Sequence, residues 1–268
     1  MKKTIDSLLS HTGDVALRRR ARWIFKKIKI KNPKSILDVG CGDGFYLYLL
    51  CELFPKPKIV GIDKDKNALK SAAINLKDKN LKIKHGDIYN LNFSDNSFDI
   101  ILASEILEHL KDDFKGLKEI YRVLRPGGLV LISVPHGNYP LLWDPINWFF
   151  ERIFKTHIKK GFFAGIWNQH ERLYSQDQLT KVVKKVGFKG IKSDILTHIC
   201  LPFNHYLLNI FARILAGGPS FRKTSLNKFS GNKNKSLTPF WLLFYFDKLN
   251  DIFKSKWVGV SLVLSAIK

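Results

Sequence analysis

The residues Ile36-Leu-Asp-Val-Gly-Cys-Gly-Asp-Gly-Phe-Tyr46 decide the fold. Residues of buried type make a strand, glycines at 40, 42 and 44 make a tight turn, and an apolar helix begins at Phe45. A strand that turns this sharply into a helix aims free backbone N–H groups and a positive helix end at one point. A small anionic group, phosphate or carboxylate, binds at such a point. The turn alone is weak evidence, because nucleotide-binding folds of several chemistries share it. Its surroundings say more. Asp63 closes the next apolar strand, Lys58-Ile-Val-Gly-Ile-Asp63, and follows Gly40 by 23 positions. That is near the spacing of about 20 expected for a carboxylate that binds ribose hydroxyls.

Further along, a third strand over 81–85 ends in Gly86-Asp87-Ile88, and a fourth over 98–103 ends in Ser104-Glu105. An amphipathic helix over 114–124 precedes Arg125-Pro-Gly-Gly128 and a fifth strand over 129–134. Taken together and in this order, these motifs resemble class I S-adenosylmethionine-dependent methyltransferases. The subgroup they look most like is methyltransferase type 11, which includes the ubiquinone and menaquinone methyltransferases. The resemblance is strong over 34–135 and weak in the flanks. A nicotinamide-binding domain fits less well, since its fingerprint has two residues before the last glycine.

The resemblance implies an α/β fold: a Rossmann-like, doubly wound, seven-stranded sheet whose last strand is antiparallel beside the fifth, with a helical insertion before that strand. It also implies S-adenosyl-L-methionine as cofactor and gives each motif a role. The turn at Gly40, Gly42 and Gly44 would approach the methionine part, with Asp38 near the amino group. Asp63 would hold the ribose hydroxyls. Asp87 and Ile88 would flank the adenine, and Ser104 would line the cleft near the sulfonium. The plainer reading makes these residues turns and caps of a parallel sheet. Ligands, however, bind at the carboxyl ends of such strands.

The rest of the 268 residues is compatible with one large α/β domain carrying an insertion. The expected organisation is a basic amphipathic helix in 1–33, a methyltransferase domain in 34–200 with 256–268, and a helical, aromatic-rich insertion in 201–255. Ser175 reads as the cap of a helix running to Val186, with Gly187 at its end. Strands six and seven are expected over 188–196 and 257–267. The three cysteines, Cys41, Cys51 and Cys200, are widely spaced, so disulfides and zinc are not expected. No apolar signal core opens the chain and no run reaches about 18 uncharged apolar residues. A cytoplasmic protein, peripheral on the inner face of the cell membrane, is the expectation.

The formal charge of +22 favours a polyanion, either anionic lipid or nucleic acid. It concentrates in the opening helix, at Arg18, Arg19, Arg20, Arg22, Lys26, Lys27, Lys29 and Lys31, and in the loop over 221–236. That loop joins an amphipathic aromatic helix after Pro202 to another after Pro239. Paired helices with a basic loop suit interfacial attachment, and packing as a substrate lid is the compatible alternative. Similar paired helices occur in methyltransferases that resemble this chain and act in lipid-linked glycan pathways.

For catalysis, a hydroxyl acceptor would want a base. His109 and His170 are the candidates. If Glu105 opens a helix, Glu108 and His109 share one face with it. This resembles the Glu-x-x-Glu-His cluster of small-RNA 2′-O-methyltransferases, in which a later His, here His170, helps bind magnesium. A helix-ending role is the preferred reading, and no metal is expected. The aromatic segment over 138–167 is read as an apolar acceptor pocket. The function expected is methyl transfer to a small, apolar or lipid-linked acceptor near the membrane. The alternatives are an RNA methyltransferase, without a recognisable RNA-binding module, and a non-catalytic cofactor-binding assembly protein.

Overall fold

A computed structural model describes residues 3–199, save 11 and 13, and residues 241–268. The expected helix after Pro202, the basic loop over 221–236 and Cys200 lie outside the described residues. Seven strands form one sheet: β1 (Ser35–Val39), β2 (Lys58–Asp63), β3 (Lys82–His85), β4 (Phe98–Ser104), β5 (Leu124–Pro135), β6 (Lys189–Leu196) and β7 (Ser261–Ile267). Their order is β3-β2-β1-β4-β5-β7-β6. The pairs among β1 to β5 are parallel, and β7 runs antiparallel between β5 and β6. The doubly wound sheet with an antiparallel last strand is therefore as expected.

Helices cover both faces because successive strand side chains alternate between them. On one face Leu37 and Val39 of β1, Ile101 and Ala103 of β4 and Val130 and Ile132 of β5 pack under α5 (Asp113–Val123) and α7 (Gln176–Val186). On the other, Ile36, Ile100, Leu102 and Leu131 pack under α2 (Val15–Lys31) and α3 (Phe45–Leu53), where α4 (Lys66–Asn75) adds Ala72. The short α1 (Ile5–Leu9) adds Leu8 and Leu9 to that second layer. α6 (Pro145–Phe154) follows β5, and α8 (Trp241–Ile252) precedes β7. Ser175 caps α7 through a reciprocal bond with Gln178, and Gly187 closes it at φ 118°.

The structure departs from expectation in three places. Arg125-Pro-Gly-Gly128 lies within β5, where the register against β4 shifts between Phe98 and Ile100. Gly127 takes φ 74° there, so the motif is a bulge inside the strand. Glu105 has φ 54° and starts no helix; only one tight turn, Leu107–His109, follows. The arginines of α2 do not form a solvated basic face. Arg18 and Arg20 are buried, Arg19 bonds Asp247 and Asp251 of α8, and Arg22 bonds Asp6 and Asp247. Carboxylates of α1 and α8 thus pair with Arg19 and Arg22, while Lys26, Lys29 and Lys31 of the same helix stay exposed.

Candidate active site

The carboxyl ends of β1 to β4 bring the expected residues together. At the end of β1, Gly40, Gly42 and Gly44 all have positive φ, of 74°, 55° and 88°. Side chains resist that region, so glycine is required for the turn. A Cβ on Gly40 would stand 2.6 Å from Ile106, whereas one on Gly42 would meet nothing within 4 Å. Gly42 therefore borders open space into which a ligand can approach the backbone. Gly44 begins α3 without any side-chain cap, which leaves the positive helix end for a ligand.

Asp38 is buried at the end of β1, and its Oδ2 has no hydrogen-bond partner. Burial, reinforced by the charge of Asp63, pushes its pKa up to about 8. A buried carboxyl of this kind is a receptor for a cation. Asp63 accepts from the Gly42 amide at 2.7 Å and from the Asp65 amide at 2.8 Å, tying the glycine turn to β2. A carboxylate has about four acceptor positions, so capacity remains for hydroxyls. Asp87 accepts from the Tyr89 amide at 3.0 Å and faces Lys64 at 3.3 Å. The amide bond, the largest cause, holds its pKa below the usual range against burial, with Lys64 adding to it. The Ile88 side chain is buried in the core beside Leu110 and Gly116, so a ligand meets its backbone.

Ser104 ends β4, and its hydroxyl lies 2.7 Å from that of Ser133, which donates to Glu105 at 3.1 Å. Arg20 reaches this row from α2, 3.4 Å from Glu105 and donating to Ser261 at 2.9 Å. Ser133 was not singled out from the sequence, and Arg20 was named only among the basic residues of the opening helix. Arg20 was legible in part: it sits on the apolar row of α2, three residues after Leu17 and four before Ile24, where a solvated cation does not belong.

The two candidate histidines meet. Their ring centroids are 4.7 Å apart, and the Glu171 amide donates to the Glu108 carbonyl at 2.8 Å, holding the two loops together. His109 Nδ1 lies 2.9 Å from the Gln169 carbonyl, which can only accept. In the neutral ring Nδ1 therefore carries the proton and Nε2 the lone pair. Nε2 is 3.9 Å from Oε1 of Glu108, a fully buried residue whose carboxylate oxygens have no hydrogen-bond partner. Burial, then the charge of Glu105, raises the Glu108 pKa well above the carboxylate range. Donor atoms of Glu108, His109 and His170 lie within 4.8 Å of one another.

The aromatic segment divides. Tyr139, Trp143 and Ile166 form a small core against which Trp148, Trp167 and Leu173 pack, whereas Phe149, Phe154 and Phe163 are exposed. A separate cleft of about 500 Å³ opens at the amino ends of the strands, lined by Lys58, Lys82, Lys84 and Arg125. It lies on the opposite edge of the sheet from the glycine turn.

Residues 37–132 match the family described as methyltransferase domain. Demethylmenaquinone methyltransferase of Geobacillus sp. (strain WCH70) is 27% identical over 191 residues, 66% of this chain and 82% of that protein. The chain is a class I S-adenosylmethionine-dependent methyltransferase. A demethylmenaquinone methyltransferase of Lactococcus lactis is 29% identical over 59% of this methyltransferase and 67% of its own length. Phosphoethanolamine N-methyltransferase 2 of Haemonchus contortus, solved with phosphomonomethylethanolamine and S-adenosylhomocysteine, superposes with TM-score 0.57 at 25% identity. That match covers 93% of this chain and 52% of the other. A SAM-dependent methyltransferase from Archaeoglobus fulgidus shares the fold at TM-score 0.56 and 17% identity, over 97% of both chains. The donor set fits the methyltransferase's cofactor. Orphaned Asp38 suits an ammonium, and the open Gly42 turn with the uncapped α3 end suits a carboxylate.

Proposed function

We propose that the methyltransferase acts on a small, apolar or lipid-linked acceptor that resides at the membrane. The observation that carries the reading is the position of the His109–His170 pair. It adjoins the aromatic segment after β5: the His170 amide donates to Trp167, whose ring stacks on His157 with centroids 3.6 Å apart. Aromatic walls around a few polar groups are the usual lining of a site for an apolar ligand. The similarity to demethylmenaquinone methyltransferases over two thirds of the chain points the same way.

In this reading Asp38 takes the amino group of the cofactor, and the Gly40–Gly44 turn takes its carboxylate. Asp63 takes the ribose hydroxyls, Asp87 and the Ile88 backbone flank the adenine, and Ser104 lines the cleft near the reacting end. When bound, S-adenosylmethionine supplies an electrophilic methyl group on a sulfonium. The protein aligns the acceptor for in-line attack, and alignment alone supplies much of the rate. His109 removes the proton from an acceptor hydroxyl through Nε2, while His170 and Glu108 adjoin the ring that takes it up. A second reading makes the same Glu108, His109 and His170 donor set a divalent-cation site, favoured by the close approach of these atoms.

The test is transfer from methyl-labelled cofactor into whole-cell extract, followed by separation into organic, aqueous and nucleic-acid fractions. Label in the organic fraction is expected. Label in RNA would replace this reading with a nucleic-acid one.

A further inference from the structure

The helix α6 is amphipathic the wrong way round for a soluble protein. Apart from Trp148, which packs on the small core, its inward side is polar: Asn147 is fully buried, donating to Asp144, Phe163 and Ala164 and accepting from the Ile158 amide. One turn on, Glu151 accepts from the Tyr139 hydroxyl and from the Trp167 indole. The outward side is apolar. Phe149 is 50% exposed, and Ile153 and Phe154 are each 59% exposed. The rings of Phe149, Phe150 and Phe154 touch one another, with centroids 5.7–6.4 Å apart. A helix normally turns its apolar stripe to the core. Here the polar side is fixed inward by hydrogen bonds, so the phenylalanines have no route to burial within this packing.

Beyond Glu151, which lies 4.0 Å from Arg152, the charge around this face has one sign. From Arg152 to Phe163 the chain carries Arg152, Lys155, Lys159 and Lys160 and no acidic residue. The same rim continues through Asn138, which accepts from Arg152 at 3.0 Å and donates to the Trp257 carbonyl at 2.8 Å. Trp257 is 78% exposed and follows Lys254 and Lys256. Exposed phenylalanines supply depth in an acyl layer, tryptophan prefers the headgroup level, and lysines attract anionic lipid.

We infer that the outward face of α6, with Trp257 and the flanking lysines, is a docking surface for an anionic lipid bilayer. The partner is chosen by charge complementarity: a protein groove would meet the same apolar strip but would not call for an unbroken series of cations around it. Because α6 packs on the turn Phe162–Trp167 that leads into His170, docking would set the acceptor side of the site beside the membrane. The inference rests for its purpose, though not for its evidence, on the membrane-resident acceptor proposed above.

The test is flotation of the full chain with two vesicle populations, pure phosphatidylcholine and equal parts phosphatidylcholine and phosphatidylglycerol. Wild type is expected to float with the anionic vesicles alone. Phe149→Gln with Phe154→Gln should weaken that partition at least tenfold, and so should Lys155→Glu with Lys159→Glu and Lys160→Glu. Cofactor affinity and melting temperature should stay as in wild type, since these side chains are exposed. Unchanged vesicle binding in both variants would overturn the inference. So would a fall in melting temperature of the phenylalanine variant, which would mean that another segment of this chain covers the face. A change in its sedimentation would assign the face to a second copy and overturn it equally. The readout needs no acceptor, so its failure is separable from that of the proposed function: a wild-type chain that floats with neither vesicle population, with label still in the organic fraction, sinks the surface alone.

Discussion

The imidazoles of His109 and His170 meet edge to face, with ring centroids 4.7 Å apart, although one follows β4 and the other follows β5. If His109 is the base, removing it costs general-base catalysis, a loss of about 10²–10⁴ in rate. His109→Ala and His170→Ala are each expected to slow single-turnover methyl transfer, with the larger loss at His109 and cofactor affinity unchanged. The rate–pH profile provides the check. A role in folding alone would lower the melting temperature and leave the profile of the residual activity as in wild type.

Burial first, and then the charge of Glu105, oppose a charged Glu108, which disfavours its carboxyl as a cation ligand and favours proton sharing over metal binding. Transfer is therefore expected to be undiminished in EDTA. Abolition by EDTA and recovery with magnesium would instead assign Glu108, His109 and His170 to a cation.

Much of this site is legible in the chain because its positions are backbone-driven. Gly40, Gly42 and Gly44 sit at positive φ, and Asp63 bonds the Gly42 amide; both follow from a strand turning at once into a helix. The sheet is legible for the same reason, since the alternation in β1, β4 and β5 directs side chains to two helical layers. What depends on tertiary contact was not. Arg20 meets Glu105 only when α2 lies over the ends of β4 and β7, and Glu105 leaves helical geometry because its amide and carboxylate both bond Ser133. The reversed polarity of α6 is hidden too, because alternation within 145–154 does not say which side is inward until Asp144 and Tyr139 are in place.

Asp38 predicts a pH dependence of cofactor binding. Its pKa in the free protein is raised to about 8, so the carboxyl is mostly protonated at pH 7. A bound ammonium favours the carboxylate, and binding must then release a proton. Affinity for S-adenosylmethionine is expected to rise about tenfold per pH unit until the pH reaches the raised pKa. Calorimetry in buffers of different ionisation enthalpy measures the proton directly. The unliganded protein should behave oppositely. Asp38 binds more protons folded than unfolded between the ordinary aspartate value of 3.8 and about 8, so its contribution to stability falls as pH rises through that window. Asp38→Asn should remove both effects, stabilising the free protein at pH 8 while weakening cofactor binding. A pH-independent affinity would remove Asp38 from the ammonium site.

Gly165 is predicted to be the least replaceable residue around α6. It takes φ 52° in the turn Phe162–Trp167, and a Cβ there would fall 1.8 Å from Oδ2 of Asp144. That oxygen also accepts from Asn147 and from the Ile166 amide, so it cannot withdraw without breaking the polar side of α6. A backbone at φ 52° and ψ −126° suits glycine and costs an alanine about 1–3 kcal/mol, and the overlap about 1–3 kcal/mol. Gly165→Ala is therefore expected to destabilise by about 2–6 kcal/mol and to lower the melting temperature by roughly 4–24 °C. The same turn leads to His170, so methyl transfer should fall even below the melting range while the glycine-turn end of the site still binds cofactor. A melting temperature equal to wild type would mean that α6 is held by something other than the Asp144–Asn147 network.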